Sequence, residues 1–471
     1  MNKILFLVFA NFYILNLQAQ FSTDYTPIIL KGPIPKEIIE NVKEKKELTL
    51  KSSTDELSGK EKQEFYTVFS YAIKNYFQSG YIYFNDTFTS YLTKVVNEIN
   101  KDQHIKGIKI YPSKVDDPNA LSWQDGSIFF NTRLLNWIDN EAQLAYILCH
   151  EISHYTKRHS MNEFQFTHNN KNDVFNKGNE FDKMLSTLSF SRTQELDADA
   201  TGFELFSKTK YNKTEAVNAM KNIGKISADE YKDYLSLKDI FNADSFETKA
   251  CIPDSATLAN MGKREEDDAS KNAEDEGIEN YSSHPKVVER VENIQKLLSA
   301  EKDSVGSLFL VSESQFSYLK AVARFENIQH LFNRMDYLNC LYRISQLKKS
   351  YPDNKFLKVK AASCMYWLLW YRKVASLSDF YGSSESNTPH SEFICTINNI
   401  SDTELEKLSI QYIQQLLAEY PNNEELQIMY AKTLAFNESA KSAQVVDTYI
   451  SSNPNGMYIN HAKQIKKSKK R

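Results

Sequence analysis

Glu141-Ala142-Gln143-Leu144-Ala145-Tyr146-Ile147-Leu148-Cys149-His150-Glu151-Ile152-Ser153-His154 is a run with helical apolar periodicity and no helix breaker. Residues four apart stack on one face of a helix, so His150 and His154 reach a common point. Neutral imidazole suits Zn²⁺, and a Glu beside the first His lies close enough to a metal-bound water to act as its base. With nine His in the chain, chance yields this spacing roughly once in a hundred such chains. The apolar flanks place the helix in a core, which argues against two histidines on a solvated surface.

A catalytic zinc takes three protein ligands and keeps one position open. Downstream stands Ser191-Arg192-Thr193-Gln194-Glu195-Leu196-Asp197-Ala198-Asp199-Ala200-Thr201-Gly202, helix-prone after Ser191. Glu195 and Asp199 are four apart and share a face. Glu195 is the candidate third ligand. Asp199 can accept a hydrogen bond from the far ring nitrogen of a ligand His, fixing its tautomer and raising its basicity. His159, five residues past His154, faces elsewhere on a continuous helix and reads as structural.

Around this site the chain reads as α+β, mostly helical. Ser58 and Glu61 form a capping box, in which each side chain satisfies the other's backbone N–H, and an amphipathic helix follows through Phe65, Val68, Phe69, Ala72 and Tyr76. A second helix fits Asp86 to Lys101, and Ile105 to Tyr111 reads as a strand. Asp125-Gly126 is a hairpin signal between two β-prone runs, with Ser127 to Phe130 as the return strand. Helix dominates thereafter. Four divisions follow: 1–19 a signal peptide, 20–57 a linker, 58–300 a zinc metalloprotease domain with a small sheet, and 301–471 an all-α repeat domain.

The repeat reading rests on Pro352, Pro421 and Pro454, spaced 69 and 33 residues apart, close to two units and one unit of the 34-residue tetratricopeptide period. Twelve residues before each Pro stand Cys340, Ser409 and Ser442. Eight before stand Ile344, Ile413 and Val446, and five before stand Leu347, Leu416 and Tyr449. A small residue lets paired helices approach, and the apolar ones fill the seam between them.

Composition narrows the compartment and the partners. Across 471 residues the hydrophobic share is 41% with only 13 Gly and 11 Pro, enough for a sizeable core and too little for a linker-rich protein. A net charge of −4 gives no electrostatic case for nucleic-acid binding. Met1-Asn2-Lys3 followed by a mostly apolar run to Leu17 and Ala19 reads as a cleaved signal peptide. With no later run approaching 18 apolar residues, no integral membrane segment is expected in the mature chain, and the periplasm is the expected location. The five Cys match no metal or redox motif. Cys149 reads as a buried free thiol, and a disulfide among Cys340, Cys364 and Cys395 stays open. The acidic stretch 264–280 reads as a solvated loop, its acids lacking calcium-loop spacing.

The ordered motifs resemble the gluzincin family that contains the HtpX heat-shock membrane proteases and the CAAX prenyl endopeptidases, and more closely its soluble periplasmic branch joined to tetratricopeptide repeats. The matching residues are Asn119-Ala120-Leu121, Gly126-Ser127-Ile128-Phe129, Leu134-Leu135 and Asp139 to Ala145 running into His150–His154. They continue with His159, Ser191-Arg192, Glu195, Ala198-Asp199, and His284-Pro285 leading to Arg290. Arg133 departs from the family, which usually has Gly before Leu-Leu, and 224–282 is long and acidic. The resemblance implies His150, His154 and Glu195 as ligands of one Zn²⁺ per chain, Glu151 as catalytic base, and a substrate strand pairing against the sheet edge near 119–130. His284 and Arg290 are further catalytic candidates, either as donors to the oxyanion, with His284 alternatively capping the open zinc position. The plainer alternative is that His284-Pro285 starts a helix and Arg290 sits in an ion pair.

Zinc lowers the pKa of bound water from about 15.7 to about 7, roughly 12 kcal/mol at about 1.36 kcal/mol per unit. The metal is therefore indispensable, and Glu151 shuttles the proton from water to the leaving amine. The expected function is an exported zinc endopeptidase acting on misfolded or stalled envelope polypeptides, its repeats holding a client or envelope partner. The rival is a repeat-bearing scaffold or chaperone with an idle protease domain, against which retention of Glu151 argues.

Overall fold

The computed structural model describes residues 21–29, 34–36, 38–40, 43, 58–84, 86–172, 180–226, 234–243, 286–375, 389–437 and 439–468. The signal-peptide reading, the acidic stretch 264–280 and His284 lie outside them. The described residues fall into two compact units. One takes those within 28–227 and 257–327, the other those within 1–27, 228–256 and 328–471.

The first unit opens with helix α1 (Gly59–Gln78), capped by the Ser58–Glu61 box. Helix α2 (Thr87–Asn100) follows, its N-cap Asp86 accepting from the Thr89 N–H at 2.8 Å. Three strands come next: β1 (Lys109–Ser113), β2 (Ala120–Ser122) and β3 (Ser127–Asn131). The first starts later than the expected Ile105. His104 and Gly107 take positive φ (55° and 86°) and the Asn100 side chain clasps both backbone groups of Ile105 at 2.8 Å, so that stretch is a helix exit. The sheet order is β1-β3-β2, with β1 parallel and β2 antiparallel to β3. The β2–β3 hairpin turns at Asp125-Gly126, where Gly126 has φ 84° and Gly107 O would stand 2.5 Å from a Cβ, so both backbone and space require Gly.

Every residue of β3 is buried, as a central strand covered on both faces requires. On one face α1 lays Phe65, Phe69, Ile73 and Phe77 over Tyr111 and Phe129. The Phe77 and Tyr111 rings meet edge-on at 4.9 Å. Among the described residues, helices α3 (Glu141–Thr156), α4 (His159–Asn172), α5 (Glu180–Ser207), α6 (Glu215–Ile223) and α7 (Val287–Ala300) follow. Beyond the boundary expected at 300, a strap over 304–312 still belongs here. Ser307 donates to Lys210 O and accepts from Asn212 N, both at 3.0 Å, and Leu308 O accepts from Ala142 N at 3.0 Å.

Helix α8 (Glu313–Asn333) carries the division between the units. The second unit has α9 (Tyr337–Lys348), α10 (Lys355–Trp370), α11 (Pro389–Asn398), α12 (Asp402–Glu419), α13 (Glu424–Leu434), α14 (Ser439–Ser452) and α15 (Ile459–Ser468). Two of the repeated Pro residues sit in the turns before α10 and α13. There Asn354 and Asn423 cap the next helix, accepting from Leu357 N and Leu426 N at 3.1 and 3.0 Å. Pro454 follows the end of α14. Cys340, Ser409, Ser442, Ile344, Ile413, Val446, Leu347, Leu416 and Tyr449 are all at most 3% exposed, so the periodic positions line helix seams. Cys149, Cys340 and Cys364 are buried free thiols. Cys395 is disulfide-bonded, so the bridge considered among 340, 364 and 395 does not form.

Candidate metal centre

Helix α3 begins where Asn140 accepts from the Gln143 N–H at 3.0 Å. Leu144, Ala145, Leu148, Cys149 and Ile152 are fully buried, so the helix runs through the core and carries His150 and His154 with it. Helix α5 packs directly against it, and Gly202 is what permits this. A Cβ at 202 would stand 2.9 Å from His150 Cα and 3.0 Å from His150 N. Glu195 and Asp199 lie two turns and one turn before Gly202, and the close approach brings both carboxylates to the histidines.

One atom each of His150, His154 and Glu195 lies within 4.8 Å of the others. His150 Nε2 and His154 Nε2 are 3.0 Å apart. Glu195 Oε2 is 3.6 Å from the former and Oε1 is 3.4 Å from the latter. Ligands at about 2.0–2.1 Å from a tetrahedral zinc are separated by roughly 3.3–3.4 Å, so the triangle has the size of one zinc face. The far ring nitrogens face other partners. Asp199 Oδ1 stands 3.0 Å from His150 Nδ1. With protons on the Nδ1 atoms, both Nε2 lone pairs and a carboxylate converge: three acceptors around one point, which a cation satisfies.

Asp199 is 1% exposed and is gripped from behind by Arg290, whose Nε and Nη2 each donate to it at 2.7 Å. Burial alone would raise the Asp199 carboxyl, but the Arg290 and His150 contacts hold it below the usual carboxylate range. His150 feels burial most, which disfavours its charge, yet Asp199's hydrogen bond and charge carry its pKa above the ordinary value. Burial, with His150 next to it, drives His154 down to about 3, keeping it in the neutral form a metal requires. Glu151 is 7% exposed, and desolvation lifts it to about 7 although His150 and a hydrogen bond with Ser122 oppose the rise.

The structure thus brings His150, His154, Glu195, Asp199 and Arg290 together. Arg290 Nη2 lies 3.5 Å from Glu195 Oε2 as well. The guanidinium contacts two carboxylates, the arrangement of the ion-pair alternative. His159 departs from its helical-phase reading. Helix α3 ends at Thr156, Arg158 takes φ 57°, and α4 starts at His159. The chain doubles back and sets His159 Nδ1 2.9 Å from His154 Nδ1. No Gly or Pro marks this break in Tyr155-Thr156-Lys157-Arg158, so the sequence carries no signal for it. Ser122 was equally unmarked, because a lone Ser in a short strand has no motif.

Among the described residues the two edges of the sheet differ. The outer side of β1 is covered: Tyr83 N donates to Pro112 O and Lys114 N to Tyr81 O, both at 2.9 Å. Among the described residues no strand pairs the outer side of β2. Because 119, 121 and 123 exchange the ladder hydrogen bonds with 131, 129 and 127, Ala120 and Ser122 turn their backbone groups outward, the Ala120 N–H donating to Asn119 Oδ1 at 2.9 Å. Arg133 tethers the loop leading into β2, its Nη1 donating to Asp116 O at 3.0 Å and to Asp116 Oδ1 at 2.5 Å. Asn327 Nδ2 holds the same Asp116 oxygen.

The family model of Peptidase family M48 matches residues 87–298. That match takes in the segment bearing this centre, from His150 to Arg290. Mitochondrial metalloendopeptidase OMA1 of Arabidopsis thaliana is 28% identical over 149 residues, 28% of this chain and 30% of that protein. Beta-barrel assembly-enhancing protease of Escherichia coli K12 is 43% identical over 44 residues, 9% of each chain. The protein of that name from Yersinia pestis is 30% identical over 83 residues, 17% of each. The chain spans less than a third of the length of these relatives. The family it matches is one of peptidases, hydrolases that act on peptide bonds.

Proposed function

We propose that this chain is a zinc endopeptidase that cuts polypeptides presented as extended strands. The observation that carries the reading is the zinc-sized triangle of His150, His154 and Glu195 acceptors with Glu151 next to it and the open edge of β2 alongside. Zinc bound there would supply Lewis-acid polarisation of a carbonyl and a water acidic enough to attack near neutral pH. The chain's own residues do the rest. Glu151, buried next to the ligand His150, is placed to take a proton from the attacking water and to return it to the leaving amine. Asp199 keeps the His150 tautomer, and Arg290 keeps Asp199 ionised. The Ala120 carbonyl and the Ser122 N–H and carbonyl take up an extended chain with weak sequence demand, the Ala120 N–H being held by Asn119 Oδ1.

Misfolded or stalled envelope proteins are the proposed clients, and the periplasm the proposed location. The N-terminal reading as an exported leader and the relatives named for beta-barrel assembly support both. Among the described residues no helix is long and apolar enough to cross a membrane. The paired helices of the second unit are proposed as tetratricopeptide-like repeats that hold a client or partner. His284 stays a proposed contributor at the open metal position. The test is purified wild type against Glu151→Gln, with zinc content and cleavage of an unfolded protein measured together. Both should carry zinc, and the variant should cleave about 10²–10⁴-fold more slowly. Zinc-loaded wild type cleaving no faster than the variant would sink the proposal and favour a scaffold.

A further inference from the structure

We infer that His159 and Asp197 are positioning residues, a relay that fixes His154 for the metal; the inference rests on the zinc reading above. A metal at His154 Nε2 leaves the proton of the neutral ring on Nδ1. That N–H points at His159 Nδ1, 2.9 Å away, which is then the bare acceptor. The His159 proton therefore sits on Nε2, 3.1 Å from Asp197 Oδ2, a carboxylate oxygen that only accepts. Each N–H in the series has one acceptor. With the His159 proton on Nδ1 instead, two N–H groups would face each other and Asp197 would face a lone pair.

The relay is built rather than incidental. His159 is 6% exposed, and Gln194 Nε2 donates to its backbone carbonyl at 3.1 Å from the helix that carries Glu195. Lys157 Nζ lies 3.4 Å from the other oxygen of Asp197. The two imidazole ligands are thereby unequal. His150 leans on the buried, Arg290-clamped Asp199, whereas His154 leans on a neutral ring backed by a carboxylate that is 43% exposed. A carboxylate acceptor raises ligand basicity more than an imidazole does.

The test is zinc affinity by chelator competition on the full chain, read beside the thermal midpoint of the metal-free protein. His159→Leu removes the acceptor and is expected to weaken zinc about 10–100-fold. His159→Asn, whose Oδ1 replaces the Nδ1 acceptor, is expected to stay within about threefold of wild type. A merely structural role would lower the midpoint in both and leave the affinities together. Equal affinity of wild type and His159→Leu would overturn the relay and leave the zinc reading intact. A wild type that takes up no zinc would overturn both. Should His159→Leu fail to fold, Asp197→Ala at its half-exposed position decides: a loss of about fivefold or more supports the relay, and an unchanged affinity overturns it.

Discussion

Asp199 holds the two charged sides of the centre together, accepting from Arg290 twice and facing His150 Nδ1. Replacing it by Asn keeps the shape but sets an amide NH₂ against donors and strips Arg290, 8% exposed, of the nearer of its two carboxylate partners. Breaking a buried pair costs about 3–5 kcal/mol, and loss of a ligand's outer partner costs about 10–100-fold in metal affinity. Asp199→Asn should therefore show both losses, read by urea unfolding of the metal-free chain and by chelator competition. A loss confined to stability would leave His150 orientation independent of Asp199. At this scale the sequence was legible wherever one continuous helix set the spacing. The four-residue steps His150–His154 and Glu195–Asp199 survive into the structure because both pairs lie on unbroken helix. His159 was illegible because the αL residue Arg158 resets the phase without a Gly to announce it.

Between elements, the contact of α3 with α5 has a built-in sign test at Gly202. In a helix interior Ala is favoured over Gly by about 1 kcal/mol. Against that, a methyl 2.9 Å from the His150 backbone must push the helices apart, and overpacking costs about 1–3 kcal/mol. The neighbour is backbone, not a flexible side-chain tip, so packing should win: Gly202→Ala should be net destabilised and bind zinc more weakly than wild type. A stabilised variant would show that the helices have slack. The open edge of β2 gives a second prediction. Ala120 and Ser122 face outward, so an extended substrate should depend on amides at alternate residues only. Each hydrogen bond contributes about 0.5–1.5 kcal/mol. N-methylating one amide of a peptide substrate in one alternate register should lower kcat/KM about 2–10-fold, while the other register changes little. Equal sensitivity in both registers would argue against strand addition. The hairpin that creates this edge was legible from Asp125-Gly126, but the parallel pairing of β1 with β3 was not, because nothing local specifies a non-adjacent partner.

Across the molecule, what the sequence hid are contacts that join distant segments through backbone atoms. The strap over 304–312 extends the site-bearing unit past the expected boundary because backbone N–H groups, which have no sequence signature, seek a carboxylate. That carboxylate is Glu141, fully buried at the start of α3. It accepts from the Tyr91 and Tyr211 hydroxyls, both at 2.7 Å, and from Leu310, Val311 and Ser312 N–H at 2.8, 2.7 and 3.0 Å. By sequence it is only an acid in a first helical turn, a favourable dipole position worth well under about 1 kcal/mol at the surface. Burial works against its charge more than any other single influence, yet these donors together hold its pKa below the ordinary value. Because the folded pKa is the lower one, the stabilisation is complete above the unfolded value of about 4.3 and is lost as the pH falls through the folded pKa. Glu141→Gln should therefore destabilise by about 2–4 kcal/mol at neutral pH, since an amide NH₂ then meets donors in a dry site. The difference between wild type and variant should shrink as the pH drops below about 4. Urea midpoints at a series of pH values measure this directly, and a gap that stayed constant into acid would mean that Glu141 is held by shape and not by its charge.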